Sequence, residues 1–388
     1  MASQETDSAS SLAGAVVIAP DKFKGSLTAA QVAEHIASGL RRVHPRLPLV
    51  LAPIADGGDG TLEAVAAQGF VLHSVVVSGP TGESITADFG RHDRTAVIEL
   101  AEASGLRRLP GSGLQPLTAS SRGTGDLVRA ALDAGCDEII IGLGGSAGTD
   151  GGAGMLQALG VRLLDGSGRE LGPGGAALAD LREADLGGLD PRLAPGGPVR
   201  VLLASDVDNP LLGPDGAAAV YAPQKGADEA DVARLEAGLK QWADVLAAAT
   251  GQDRRDEPGA GAAGGVGFAA LAGLAARQRP GIELILELID FESHLQNARL
   301  VITGEGSLDR QSLNGKAPVG VAAAASRHGL PTVAVAGRCP LSDDELRAGG
   351  LSAGYALTSL EPDVAVCLAE AGRLLEELVA TVLAPAWL

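Results

Sequence analysis

The chain has 388 residues, of which 46% are hydrophobic and 20% charged, and its 30 basic against 48 acidic residues leave a net charge of −18. This composition excludes a disordered protein and is enough for two domains with cores of their own. The negative surplus opposes docking on a polyphosphate backbone or an anionic membrane, so neither nucleic acid nor membrane is expected as a partner.

Gly occurs 55 times, while Phe, Trp and Tyr occur five, two and two times, so the cores must be built from Ala, Leu, Val and Ile. Cys136, Cys339 and Cys367 are an odd number, far apart and without a C-x-x-C pair, which argues against zinc or redox chemistry and for a reducing, cytoplasmic setting. The first residues have neither the basic nor the apolar region of a secretory signal, and 1–14 read as a flexible tail. Monomer and homodimer both stay open.

AVVIAPD (15–21) reads as a short β-branched strand, followed by a loop and a helix capped near Ser26, with Val32, Ile36, Leu40 and Val43 on one face. A second strand, LVLAPI, leads through the glycine-rich turn ADGGDGT (55–61) into a helix ending on Gly69. The next stretch, HSVVVSGPTGESITADFGRHDRTAVIELAEAS, alternates as antiparallel hairpins do. Helix and strand return with TGDLVRAALDAG, EIIIGLGG, GGAGMLQALG and VRVLLASD. Residues 165–175 read as a surface loop, and GAGAAGGVGF is too glycine-dense for an ordinary helix. LVITGEG, a helix near 319–328, PTVAVAG, SAGYALTS and a last helix close the chain. Two βα units at the front and three at the back predict a flavodoxin-like parallel-sheet domain over 15–71 and 291–388. A second α/β domain over 72–290 interrupts it.

Ligands of open parallel sheets sit beyond the carboxyl ends of the strands, where loops enter helix N-termini. This selects Asp21–Ser26, Asp56–Thr61, Thr303–Asp309 and Ala336–Arg338, all expected on one rim. Lys22 and Lys24 there either offset phosphate or carboxylate charge or are ordinary solvated lysines. Asp56, Asp59, Glu305 and Asp309 either support Mg²⁺, which takes one or two carboxylates plus waters and phosphates, or serve as caps and turns.

The densest motif, GLGGSAGTDGGAG (142–154), follows a strand and precedes a helix. A loop so poor in side chains either offers backbone N–H groups to an anion or permits a tight strand–helix crossing. It is neither a Walker A loop nor a strict dinucleotide fingerprint, and no G-x-S-x-G elbow is present. Asp206 ends the strand VRVLLA, where a general base or metal ligand is held rigidly and where an Asx-turn is equally at home. Asn209 and the cluster Gln224-Lys225 follow. The six histidines have no metal-binding spacing.

Taken in order, APDKFKGSLTA, PIADGGDGT, GPTGE, TAVIELAEASGL, SRGTGDL, GLGGSAGTDGGAGML, DVDNPLLG, PQKGA, GAGAAGGVGF and VITGEGSLDRQSLNGKAPVGVA resemble the bacterial glycerate kinases of the Gar/Glx type. The resemblance runs from about Val16 to beyond Gly337 and departs at Gly148 and Thr149, where the family pattern has Thr and Asn. It implies ATP-dependent phosphorylation of D-glycerate, most often at the 2-hydroxyl, and a restriction-endonuclease-like topology for the inserted domain. On the matching positions, Lys22, Lys24 and Lys316 are expected to compensate anionic charge. Gly144, Gly145, Ser146, Asp150, Gly151 and Gly152 are expected around phosphate, and Asp56, Asp59 and Glu305 around Mg²⁺. Ser26, Gly57, Gly58, Gly60, Thr61, Asn209, Gln224, Lys225, Gly304 and Gly306 complete the expected substrate and nucleotide contacts. Asp206 is the first candidate for general base and Asp309 the second.

Overall fold

The computed structural model describes residues 14–111, 113–313 and 315–388, so the expected tail, apart from Gly14, lies outside the described residues. Two compact units result, one from the chain up to Ile54 with Ile289–Leu388, the other from Ala55–Leu288. The strands of the front part are β1 (Ala15–Pro20) and β2 (Leu49–Leu51). Those of the insert are β3 (Val71–Ser78), β4 (Ser84–His92), β5 (Thr95–Glu99), β6 (Glu138–Gly142), β7 (Arg162–Asp165), β8 (Leu181–Asp185), β9 (Arg200–Ala204) and β10 (Arg277–Arg279). The chain returns through β11 (Ala298–Ser307), β12 (Thr332–Arg338) and β13 (Ala353–Ala356).

In the first unit the order is β2-β1-β11-β12-β13, every pair parallel, which is the flavodoxin-like order expected. Val16, Val17, Ile18 and Ala19 are wholly buried because a central strand covered on both faces has no solvent side. On one face Val32, Ile36 and Leu40 of helix Ala29–Val43 pack with Leu374, Leu375 and Leu378 of helix Ala371–Leu378. Each such side chain contributes roughly 1.5–3 kcal/mol of burial free energy. The first helix is capped by Thr28, whose Oγ1 accepts the Gln31 N–H at 3.3 Å while Gln31 Oε1 accepts the Thr28 N–H at 2.9 Å. Ser26, expected near the cap, instead donates its hydroxyl to the Phe23 carbonyl at 3.1 Å and closes the preceding turn.

In the second unit the sheet runs β10-β9-β6-β5-β4-β3. β3, β4 and β5 form the antiparallel hairpins legible in the alternation, and β5, β6, β9 and β10 are parallel. Leu127 and Val128 of helix Arg122–Asp133, Leu239 and Trp242 of helix Glu229–Thr250, and Phe268 of helix Ala262–Gly273 fill the core around Ile98, Ile141 and Leu203. The GAGAAGGVGF segment begins that last helix with Ala263, Gly264 and Gly265 in left-handed conformation, which explains its glycine density. β7 and β8 form a separate two-stranded ribbon that flanks the expected 165–175 loop. Residues 55–71, read from sequence with the first unit, belong to the second. The reason is packing: helix Thr61–Ala66 buries Leu62 and Val65 against this sheet, and its first turn is hydrogen-bonded to Glu99 on β5.

No helix among the described residues is long and apolar enough to cross a membrane. Cys136, Cys339 and Cys367 are free thiols. Replacing Thr28 by Ala removes one arm of the capping box and is expected to destabilise the first unit by about 1 kcal/mol, read as an earlier urea midpoint with an unchanged slope.

Candidate active site

The register of the second unit sets Glu99, Gly142 and Ala204 level at the carboxyl ends of β5, β6 and β9, with Arg279 of β10 beside Ala204. The 55–60 loop lies directly on this edge. A Cβ at Gly142 would stand 2.4 Å from the Gly57 carbonyl oxygen, one at Gly144 2.6 Å from Gly58 Cα, and one at Gly57 2.7 Å from the Ala204 carbonyl oxygen. Glycine is therefore required here so that two backbones can touch, and part of what reads in sequence as an anion-binding signature is this close crossing.

Glu99, only 2% exposed, fastens that loop. Its Oε2 accepts the N–H groups of Gly60 at 3.1 Å and Leu62 at 3.3 Å, and Arg107 approaches Oε1 at 3.4 Å. Burial, reinforced by Glu102 and Asp59, outweighs the two backbone donors and pushes its pKa up to about 7. Arg107 also stands 3.6 Å from Asp59, which ties that carboxylate to a cation. Thr61 is buried and donates to the Gly58 carbonyl at 2.7 Å, so its hydroxyl shapes the turn.

In the 142–154 loop, Asp150 is buried and accepts from Ser121 N–H at 2.8 Å, Ser121 Oγ at 2.9 Å and Ser120 Oγ at 3.3 Å, and from the N–H groups of Gly152 and Gly154. It shapes the loop from within. Gly151 donates to the Gly264 carbonyl at 3.0 Å and its own carbonyl accepts the Trp242 indole N–H at 2.8 Å. Lys225 is buried, with its ammonium on Ser146 Oγ at 2.7 Å and on the Gly148 carbonyl. Burial pulls its pKa down to about 7 against the opposing field of Asp150. Gln224 beside it is exposed.

Asp206 lies two residues beyond β9, and its Oδ1 accepts the N–H of Gly281, the first residue of helix Gly281–Leu288, at 3.0 Å. Its side chain reaches solvent, yet desolvation by the surrounding chain, with the charges of Asp56, Asp208 and Glu283, raises its pKa to about 6. Asp56 accepts the Gly58 N–H at 3.2 Å. Asn209 is committed locally, donating to the Asp215 carbonyl and accepting from the Tyr221 hydroxyl, each at 2.7 Å.

The first unit gathers a second set. The β1–β11 register pairs Pro20 with Gly304, the Asp21 N–H donates to the Gly304 carbonyl at 2.8 Å, and Gly306 lies against Phe23 and Lys24. The DKFKGS and TGEGSLD stretches are thus neighbours at the carboxyl ends of β1 and β11, with Arg338 of β12 donating to Ser307 Oγ at 2.9 Å. Lys24 is exposed, Lys22 half-buried, and Lys316 sits at the N-cap of helix Ala317–Arg327. Asp309 accepts the Gln311 N–H at 2.9 Å in a turn. Of the four loops expected on one rim, three share this sheet, whereas Asp56–Thr61 belongs to the other unit. Among the described residues no three His, Cys, Asp or Glu side chains are grouped to hold a metal.

Sequence reading passed over Glu99, Ser120, Ser121 and Arg107. A glutamate closing the otherwise apolar strand TAVIE was the available signal for the first, and the serine pair ahead of a helix for the next two.

A flavodoxin-like sheet interrupted by a second α/β unit, each with charged and glycine-rich loops at its parallel strand ends, defines a two-unit α/β protein whose ligand-binding edges lie at those strand ends. The glycerate kinase family matches residues 16–386, and the chain belongs to that family. It is 47% identical over 346 residues to the glycerate kinase of Bacillus subtilis (strain 168), covering 88% of this chain and 90% of that one. To the glycerate 2-kinase of Escherichia coli (strain K12) it is 46% identical, covering 85% and 86%. A crystal structure assigned as glycerate kinase 2 from Salmonella typhimurium LT2 superposes with a TM-score of 0.81 at 42% identity, covering 97% of this chain and 100% of that one.

Because the folded-state pKa of Glu99 is raised from 4.5 to about 7, its protonated form favours folding. That stability is complete below pH 4.5 and is lost as the pH rises through 7. Glu99→Gln keeps the acceptor without the charge. Relative to wild type its unfolding free energy should rise by roughly 3 kcal/mol between pH 4.5 and 8, measured by urea denaturation at both values.

Proposed function

We propose that the protein transfers the γ-phosphoryl group of ATP to the 2-hydroxyl of D-glycerate, giving 2-phosphoglycerate and ADP. Family membership supports the reaction, and the relative named glycerate 2-kinase supports the position. The observation that carries the mechanism is Asp206, fixed at a strand end beside Asp56 with its pKa near 6.

An alcohol with a pKa far above neutrality needs a base as the new P–O bond forms, and the base must be ionised at working pH. Asp206 meets that condition. One carboxylate oxygen is held by Gly281, which fixes the side chain, and the other is left to take the proton of the glycerate hydroxyl. The accessible apex of the 144–152 loop, Gly144 and Gly145, offers backbone N–H groups to the nucleotide phosphates. Lys22, Lys24 and Lys316 of the first unit compensate phosphate or carboxylate charge, with Glu305 and Asp309 as that unit's carboxylates.

The donor set fits Mg²⁺: Asp56 is a hard oxygen ligand in an acidic neighbourhood, and this ion needs only one or two carboxylates beside phosphates and waters. Asp56 would hold it, while Asp59 is already paired with Arg107. When bound, the ion neutralises charge on the triphosphate.

Purified protein with ATP, Mg²⁺ and D-glycerate should release ADP, and phosphorus NMR should show the ester on oxygen 2. An ester on oxygen 3 would refute the position, and no ADP the reaction. Asp206→Asn keeps the Gly281 hydrogen bond but not the base, and its turnover number should fall by about 100-fold or more. In wild type, kcat/KM should climb with pH through about 6 as Asp206 ionises, and this limb should be absent from the variant.

A further inference from the structure

Asp150 and Lys225 are buried charges at the two ends of a five-residue stretch of the glycine-rich loop. Asp150 gathers five hydrogen bonds from Ser120, Ser121, Gly152 and Gly154. Lys225 enters from the turn Pro223–Lys225 and bonds Ser146 Oγ at 2.7 Å and the Gly148 carbonyl. The left-handed residues Ala263, Gly264 and Gly265 close the loop from behind. At Gly264 a Cβ would stand 2.3 Å from the Gly148 carbonyl oxygen and 2.9 Å from Lys225 Nζ. Next to Asp150 in the chain, the Thr149 hydroxyl is wholly buried without a hydrogen-bond partner.

This arrangement is poorly explained by stability. An ammonium taken out of water on neutral acceptors is favoured no better than an apolar side chain of the same volume. Nor does it read as a direct ligand contact, since Lys225 is 2% exposed and its ammonium is turned inward. What the ammonium does determine is the direction of the Gly148 carbonyl and of the Ser146 side chain, and these anchor the end of the loop's accessible apex, the half-buried Gly144 and the exposed Gly145.

We infer that Lys225 is a positioning residue, whose ammonium fixes Ser146 and Gly148 so that the accessible apex before them, Gly144–Gly145, keeps the shape that receives the nucleotide phosphates. The inference rests on the proposed kinase activity and on that loop as its phosphate site. It assigns Lys225 a part in nucleotide affinity exerted through the loop, without touching the nucleotide. The charged group acting on it is Asp150, and burial places its titration near pH 7.

Lys225→Met, matched in length and uncharged, separates positioning from bulk stability. Thermal melting should show one cooperative transition, lowered because the buried Gly148 carbonyl and Ser146 hydroxyl lose their donor. Its MgADP dissociation constant, measured by calorimetry at pH 6.5, and its KM for ATP should rise about tenfold or more, with a smaller change in kcat at saturating ATP. A folded variant with both values within about twofold of wild type would overturn the inference. If Lys225→Met does not fold, Ser146→Ala decides, because it keeps the charge and removes one acceptor. MgADP binding weakened about threefold or more supports the inference, and unchanged binding overturns it. Wild-type protein that forms no ADP from ATP and D-glycerate would refute the underlying reading, whereas an active wild type with an unaffected Lys225→Met refutes the positioning role alone.

Discussion

Two stretches of backbone touch at the carboxyl ends of the insert's parallel strands, and the candidate site is organised by that contact. Gly57 and Gly58 lie on Gly142, Gly144 and Ala204 at distances that leave no volume for a Cβ. The crossing brings Asp56 and Asp59, from a loop at least 40 residues earlier in the chain, to the strand ends that carry Glu99, the glycine-rich loop and Asp206. A methyl group at Gly57, Gly142 or Gly144 would have to displace backbone, which is far more costly than moving a flexible side chain.

Charge then divides the work around this crossing. Glu99, Asp150 and Lys225 are buried and spend their hydrogen-bonding capacity on loop geometry, each gripping backbone N–H or carbonyl groups. Asp206 and Asp56 stay at the surface of the same region, with one internal N–H donor apiece. Environment decides the protonation of each group. Desolvation lifts the pKa of Glu99 and Asp206 and lowers that of Lys225, so all three titrate near neutrality, where a modest change in surroundings alters their charge.

Much of the fold was legible because its signals are local. β-branched runs with polar ends gave β1, β6, β9, β11 and β12, and alternation gave the β3–β5 hairpins. The two βα units before the insert and three after it yielded the strand order. The ownership of residues 55–71 was not legible, because it is settled by a buried carboxylate 39 residues from the amide it binds, a contact with no local trace. Motif reading found the loops of the site but not the division of labour inside them. Asp150 and Lys225 read as ligand contacts because charge in a glycine-rich loop suggests exposure, while the fold turns both inward. Asn209 and Thr61 are likewise absorbed into turns. Glu99 was missed because a strand-end glutamate looks like a solvated terminus until the packing above it is known.

The central claim is that the 55–60 loop and the 142–152 loop together form the ligand-facing edge of the insert. Hydrogen–deuterium exchange of the protein alone and with MgADP and D-glycerate tests it most directly. The account predicts slowed exchange in both stretches and at 205–209, with the β7–β8 ribbon unchanged. Protection that leaves both loops exchanging as in the free protein would contradict it.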